Sequence, residues 1–132
     1  MTDERETQLA EVEQHFGIRL PDDYRWYILQ VGGTDGFVYP ADNYLVLYPA
    51  DQLAALDEAG AHQQRFPGGL AIGGDGSREI LFYDFRHDPP PLVLLDVTAE
   101  NWTAAIFQAS SLTEFLDLFP KRGWLFGNAD RP

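Results

Sequence analysis

Residues 66–85 read FPGGLAIGGDGSREILFYDF, with five glycines between positions 68 and 76 and an apolar run directly after them. Such a stretch either cradles a phosphate or turns the chain between two strands. A phosphate-binding loop needs a lysine after its last glycine and then a helix, so that backbone N–H groups converge on the anion. The one lysine of the chain is Lys121, far away in sequence, and Glu79 stands where a dinucleotide-binding pattern needs its third glycine.

The residues that follow the glycines favour the turn. The segment EILFYDF at 79–85 is rich in aromatic and β-favouring side chains, and it alternates as a strand does. The pair Asp75-Gly76 is typical of a hairpin, because glycine tolerates the positive φ that such turns demand. The stretch therefore predicts two strands joined by a tight connection.

Length and composition predict one folded domain. The chain has 132 residues, of which 45% are hydrophobic and 14% aromatic, enough for a single core. It contains no cysteine, which excludes disulfide frameworks, thiolate metal sites and cysteine nucleophiles. No window approaches the ~20 apolar residues needed to span a bilayer. We therefore expect a soluble, cytoplasmic protein with no membrane partner.

The charge balance narrows the class of partner. Asp and Glu number 21 against 9 Lys and Arg, which gives a formal net charge of -12. Because nucleic-acid binding needs a clustered basic surface, direct contact with nucleic acid is not expected. An acidic surface instead favours a basic protein partner. The alternative that the acidity only confers solubility stays open at this point.

Helix signals occur at both ends of the chain. The first helix is predicted from a cap at Thr2, with Asp3 in the first turn, to Gly17, and a third from Asp51 to Gly60. The last helix is predicted from a capping box at residues 111–114 to a limit at Pro120. The second helix is predicted to open at Pro21 and end at Gly32 and Gly33, with a buried stripe of Tyr24, Tyr27, Ile28 and Val31.

Strands are predicted at 45–49, 70–73, 79–85, 92–97 and 103–107, and residues 34–44 are predicted to be a loop. The predicted order is helices, then strands linked mostly by hairpins, then a final helix. This order indicates an α+β fold. We expect a single domain with N-terminal helices, a mainly antiparallel sheet of about 4–6 strands, with a mixed sheet left open, and a C-terminal helix packed on it.

The residues that could support catalysis show no catalytic pattern. His15, His62 and His87 have no metal-ligand spacing, and no nucleophile elbow surrounds a serine. Asp84 and Asp96 each end an apolar strand and could lie together as an acid–base pair. The alternative we favour is that each carboxylate binds a neighbouring turn. We therefore predict no catalytic residue, no metal and no cofactor.

Four blocks follow one another along the chain: LPDDYRWYILQVGG at 20–33, LAIGGDGSREILFYDF at 70–85, PLVLLDV at 91–97 and SSLTEFLDLF at 110–119. In this order and spacing they resemble the SUKH superfamily, which groups bacterial immunity proteins with a fungal cell-wall synthesis regulator of the Smi/Knr type. The chain departs from the pattern at Val31, where the family often has asparagine, and at Ser77 and Arg78, where it usually has a further glycine.

The resemblance implies that residues 1–132 form one α+β domain without catalysis. It implies an immunity protein that binds a cognate bacterial toxin, and many such toxins are nucleases with basic surfaces, which agrees with the charge of the chain. A regulatory scaffold of the fungal type is the second hypothesis, and an unrecognised enzyme with acids in a cleft is the third. The resemblance names neither the toxin nor an oligomeric state.

A toxin-binding surface should combine central aromatic side chains with a charged rim. The predicted loop at 34–44 fits best, and its candidate partner-binding residues are Asp35, Phe37, Tyr39, Asp42 and Tyr44. Second choices are Asp75 at the hairpin tip and Trp102, which we expect near the proline-rich segment 86–91. The alternative is that Phe37 and Tyr39 only cover the core.

Overall fold

The computed structural model describes residues 4–126 of the chain. The cap predicted at Thr2, the acid at Asp3 and residues 127–132 lie outside this range. Within it, the helices are α1 (Glu4–Phe16), α2 (Asp22–Gln30), α3 (Leu53–Ala59), α4 (His62–Arg65) and α5 (Leu112–Arg122), with short 3-10 helices at Ala50–Gln52 and Trp102–Ala104. The strands are β1 (Thr34–Val38), β2 (Asn43–Leu47), β3 (Gly69–Gly74), β4 (Glu79–Asp84), β5 (Leu92–Asp96) and β6 (Ile106–Ala109).

The described strands form one six-stranded sheet in chain order, and each neighbouring pair is antiparallel. The α+β expectation is confirmed, at the upper end of the predicted strand number. Since every neighbouring pair among the described strands runs antiparallel, the mixed-sheet alternative is wrong.

One side of the sheet, called here the helical side, packs against α1, α2 and α5. The core of this side contains Leu9, Tyr24, Leu81 and Phe115, each at most 1% exposed. Burial of each such side chain contributes about 1.5–3 kcal/mol before the cost of ordering the chain. Val31, predicted within the buried stripe of α2, is instead 50% exposed, because α2 ends one residue earlier and Val31 is its C-cap.

The helix α5 starts where the capping box predicts it. The Ser111 side chain accepts a hydrogen bond from the Glu114 N–H at 3.1 Å. The helix continues through Pro120 to Arg122, whereas the sequence predicted an end at Pro120. Proline removes one donor within the last turn, but the Gly123 N–H still bonds to the Phe119 carbonyl at 2.8 Å and closes that turn.

The glycine-rich stretch forms the predicted hairpin between β3 and β4, joined by residues 75–78. The Asp75 carboxylate accepts from the N–H groups of Ser77 at 2.8 Å and Glu79 at 3.0 Å, and Gly76 has φ +80°. The glycines at the end of β3 permit close approach of the strands. A β-carbon on Gly73 would collide with the Val46 carbonyl of β2, and one on Gly74 with the Glu79 carbonyl of β4.

The other side of the sheet, called here the outer side, is covered only in part. Phe66, Ala71, Phe82, Val93 and Leu95 form a second, smaller core there. It lies under α4 and the 3-10 helix Trp102–Ala104, which occupies the start of the strand predicted at 103–107; the strand itself begins at Ile106. Covering one half of this side leaves the half formed by β1 and β2 open.

His62 belongs to this second core. It stands in the polar stretch HQQR at 62–65, yet it is 4% exposed and its ring lies 5.0 Å from that of Phe82. Its Nδ1 atom is 3.9 Å from the Asp57 carboxylate and makes no hydrogen bond among the described residues. Burial lowers the pKa of His62, and the Asp57 charge only partly opposes this effect.

We expect the free energy of unfolding to fall as the pH drops below about 6.5, the ordinary pKa of histidine. Below that pH the unfolded chain takes up a proton that the folded chain, with its lowered His62 pKa, does not bind. Urea unfolding at about pH 7.5 and about pH 5.5 measures the difference. His62→Phe should lose much of this pH dependence, and the exposed-site control His15→Gln should keep it. An equal pH dependence in wild type and His62→Phe would contradict the assignment.

The segment after α5 ties distant parts of the sheet together. The Trp124 N–H donates to the Asn43 side chain at 3.2 Å, and the Leu125 N–H donates to the Gln108 side chain at 3.0 Å. Asn43 is on β2 and Gln108 is on β6, although Trp124 and Leu125 are consecutive. The sheet is therefore strongly curved, and Trp124 is buried against it, with 7% of its surface exposed.

Candidate protein-binding surface

Residues 34–44, predicted as a loop, form a β-hairpin instead. Strands β1 and β2 pair in register from Thr34↔Leu47 to Val38↔Asn43. The turn at residues 39–42 contains Asp42 at φ +59°, a left-handed conformation that aspartate tolerates better than most residues. The Asp-Gly and Tyr-Pro pairs in this segment are typical of turns, so the local sequence does not predict β1. Pairing with β2 is what holds residues 34–38 as a strand.

The hairpin places aromatic and acidic side chains on the outer side of the sheet. The register pairs Asp35 with Val46 and Phe37 with Tyr44, so these four side chains share one face. The Phe37 and Tyr44 rings meet edge to face with centroids 4.9 Å apart. The Tyr44 hydroxyl donates to the Asp35 carboxylate, and this hydrogen bond raises the pKa of Tyr44.

The aromatic residues of the hairpin are exposed to solvent. Phe37 is 59% exposed and Tyr39, in the turn, is 68% exposed. The alternative that both side chains merely cover the core is therefore not what the structure shows. Large apolar side chains held in the open beside carboxylates are typical of a protein-binding surface.

The β3–β4 connection brings a further carboxylate to the same place. Gly76 lies against Tyr44, because a β-carbon at Gly76 would be 3.2 Å from Cδ1 of that ring. Asp75 therefore borders the hairpin. Burial raises the pKa of Tyr48, and the charge of Asp75 raises it further. A shallow cavity of about 310 Å³ lies at the base of the hairpin and is lined by Asp35, Val46 and Tyr48, among others. We call the group Asp35, Phe37, Tyr39, Asp42, Tyr44 and Asp75 the hairpin surface.

Glu79 adds to the negative potential at this border and was not singled out from the sequence. Burial raises its pKa, and the neighbouring carboxylates of Asp96 and Asp75 raise it further. A positive charge brought close to Glu79 would stabilise its ionised carboxylate. Nothing in the sequence indicated this contribution, because a charged residue at the first position of a strand is common.

Trp102, the last candidate, does not lie on the hairpin surface. Its ring packs against Phe66 and Phe82 with centroids 5.7 Å and 6.3 Å away, and its indole N–H donates to the Pro67 carbonyl at 3.1 Å. The Arg86 guanidinium lies 4.2 Å above the ring. Trp102 contacts the Gly69 end of β3, about 16 Å of strand from Gly74.

The carboxylates considered as an acid–base pair are far apart. Asp84 pairs with Gly69 and Asp96 with Glu79, so they lie at opposite ends of the β4–β5 ladder, about 16 Å apart. Burial would raise the pKa of Asp84, but hydrogen bonds from Arg86 outweigh it and lower the pKa. Asp96 accepts from the Thr98 hydroxyl at 2.6 Å and from the Thr98 N–H at 2.8 Å, and these hydrogen bonds lower its pKa. Both carboxylates bind turns, as the favoured alternative predicted.

A second exposed surface, which the sequence did not predict, lies between α2 and α5. Trp26 is 62% exposed and borders a cavity of about 350 Å³ that also contacts Tyr27, Leu112 and Leu116. Trp26 stands outside the buried stripe of α2. That position could have indicated an exposed surface from the sequence, because a tryptophan off the apolar face of a helix does not pack into the core.

Within residues 4–126, no three His, Asp or Glu side chains are grouped so that they could hold a metal ion. In the same range, no helix has the length and apolar character to cross a bilayer.

Comparison with known proteins identifies the family. A family model described as the SMI1 / KNR4 family (SUKH-1) matches residues 5–118, most of the chain. A comparison with curated proteins found no match.

Proposed function

Because the chain belongs to the SMI1 / KNR4 family (SUKH-1), we propose that it is a cytoplasmic immunity protein that neutralises a bacterial toxin by protein–protein contact. The observation that supports this most is the hairpin surface, where exposed Phe37 and Tyr39 stand among the carboxylates of Asp35, Asp42 and Asp75. It acts without catalysis and needs no cofactor.

The chemistry of this surface specifies a basic partner. Exposed aromatic rings supply contact area at little conformational cost, and acids around them select against anionic competitors. A nuclease toxin carries a basic surface for its substrate, and covering that surface excludes the nucleic acid. The net charge of -12 also speeds the encounter of the two proteins.

The direct test is co-expression with the C-terminal domain of the protein that the neighbouring gene encodes, which should by itself stop growth. Growth should be rescued, and the two purified proteins should form a stable complex in which the toxin is inactive. A toxin domain that remains lethal and elutes separately from this protein would overturn the proposal.

A regulatory scaffold remains a second candidate, and the groove between α2 and α5 favours it. A scaffold needs two surfaces, and Trp26 lies on the helical elements rather than on the hairpin surface. Simultaneous capture of two different proteins, one lost with Trp26→Ala and one with Phe37→Ala, would support the scaffold.

We expect charge reversal on the hairpin surface to slow toxin association about tenfold at low salt, with little effect at high salt. The variant is Asp35→Lys with Asp42→Asn, since asparagine tolerates the left-handed backbone at position 42. Glu11→Lys with Asp117→Asn changes the net charge equally at exposed sites on α1 and α5. Stopped-flow association at two salt concentrations measures the rates. Equal slowing by both variants would show that only the total charge matters.

A further inference from the structure

The edge strands of the sheet are β1 and β6. They differ in how far the chain blocks, or closes, each edge against pairing with a further strand. At β6, the register shifts around Gln108, and such an irregularity disfavours further pairing. The Gln108 side chain donates to the Leu125 carbonyl at 2.8 Å and accepts from the Leu125 N–H at 3.0 Å. The Arg122 guanidinium donates to the Gln108 backbone carbonyl. The chain itself therefore closes the edge at β6.

Within residues 4–126, none of these protections is found at the edge of β1. All five residues of β1 pair with β2 in unbroken register, so the strand is regular. Residues 34–38 contain neither lysine nor proline, the residues that commonly block edge strands. A β-carbon added at Gly36 would meet nothing within 4 Å, so no described segment lies against that face of the strand at its middle residue. A regular edge strand without a second described neighbour can accept another strand.

The side chains of β1 indicate which kind of strand could pair with it. Asp35 and Phe37 are exposed on the outer side of the sheet, where a neighbouring strand would place its own side chains beside them. Cross-strand pairs of opposite charge and pairs of apolar groups stabilise a sheet, whereas like charges oppose pairing. A second copy of this chain would bring another net charge of -12 to the edge.

We propose that the β1 edge accepts a β-strand from a basic protein partner, with a lysine or arginine beside Asp35 and an apolar side chain beside Phe37. This inference rests on the proposed function and adds the mode of binding. Main-chain hydrogen bonds to β1 hold the partner strand, and the alternating side chains of that strand select it. The hairpin surface then contacts the body of the partner.

The probe is a blocked peptide of about seven residues in which a lysine, a valine and a second lysine alternate with threonines, so that lysine and valine lie two residues apart on one face. Two isomers carry backbone N-methyl groups, one on every lysine and valine and one on every threonine. Because only alternate N–H groups of a strand face β1, one isomer loses these bonds and the other keeps them. We expect the parent peptide to shift the NMR signals of residues 34–38, with one methylated isomer binding at least about tenfold more weakly than the other.

Two protein variants test the charge. Asp35→Asn should weaken binding of the parent peptide, because asparagine removes the charge while an amide oxygen can still accept the Tyr44 hydroxyl. Asp117→Asn removes one exposed charge on α5 and should leave binding unchanged. Equal binding by both methylated isomers would mean attraction by charge alone and would overturn the proposal, as would no shift of residues 34–38 with the parent peptide. A dimer of this chain that protects the same amides would assign the edge to a second copy and also overturn it.

Hydrogen exchange on the toxin complex separates this inference from the proposed function. Protection of amides in β1 supports strand addition. A stable, inhibited complex without such protection overturns the strand addition and leaves the immunity function. Failure to form any complex overturns the proposed function itself, whatever the peptide does.

Discussion

Gly73→Ala is expected to lower the free energy of unfolding by about 3 kcal/mol, the upper part of the range for overpacking substitutions. A β-carbon at this position collides with the Val46 carbonyl and lies 3.0 Å from Cδ2 of Leu47. The pairs Val46↔Gly74 and Leu47↔Gly73 join β2 to β3. The substitution therefore separates the β1–β2 hairpin from the rest of the sheet. Urea unfolding followed by circular dichroism measures the loss.

Gly36→Ala is the matched control, because it is also a glycine within a strand. Its β-carbon would meet nothing within 4 Å, so stability should change by no more than about 0.5 kcal/mol. Similar effects of the two substitutions would show that strand propensity, and not the contact between β2 and β3, determines the cost at Gly73. If Gly73→Ala is too unstable to purify while Gly36→Ala folds, that difference itself supports the prediction.

Phe37→Ala is expected to speed dissociation of the toxin complex about 30-fold, which corresponds to about 2 kcal/mol of binding free energy. The Phe37 ring is 59% exposed in the free protein and is held edge to face against Tyr44. It can therefore enter a pocket on the partner with little loss of conformational freedom. The effect should appear in the dissociation rate, because contacts that form after encounter act there. Surface plasmon resonance or competition stopped flow measures it.

Trp26→Ala controls for the loss of an exposed aromatic side chain. Trp26 is 62% exposed but lies on α2, away from the hairpin surface. It should leave the dissociation rate within about twofold of wild type. Faster dissociation of Trp26→Ala with no change for Phe37→Ala would move the toxin-binding surface to the groove between α2 and α5.

Local signals predicted the parts of the fold that local chemistry specifies. The Asp75 carboxylate and the positive φ of Gly76 form the turn between β3 and β4 within a few residues. Ser111 and Glu114 likewise cap α5 through contacts within one helical turn. In such segments the stabilising partner is close in sequence, so the pattern and the structure agree.

Of the candidate site, the sequence predicted most of the residues but not the element that carries them. Asp35-Gly36 and Tyr39-Pro40 read locally as turn pairs, and only pairing with β2 makes Thr34–Val38 a strand. Trp102 was a second-choice candidate near the segment 86–91, and it does lie beneath Arg86, but its ring packs on Phe66 and Phe82 of the second core. These outcomes depend on partners distant in sequence, which composition and periodicity do not identify.

The sequence by itself determined the α+β class, the β3–β4 hairpin, the capped last helix and the surplus of carboxylates. Only the tertiary structure decided that half of the outer side stays open, that Phe37 and Tyr44 share that half, and that β6 is closed while β1 is not. The physical reason is the range of the interactions. Caps and turns form between neighbours in the chain, whereas the exposure of a face or an edge depends on which distant segments reach it.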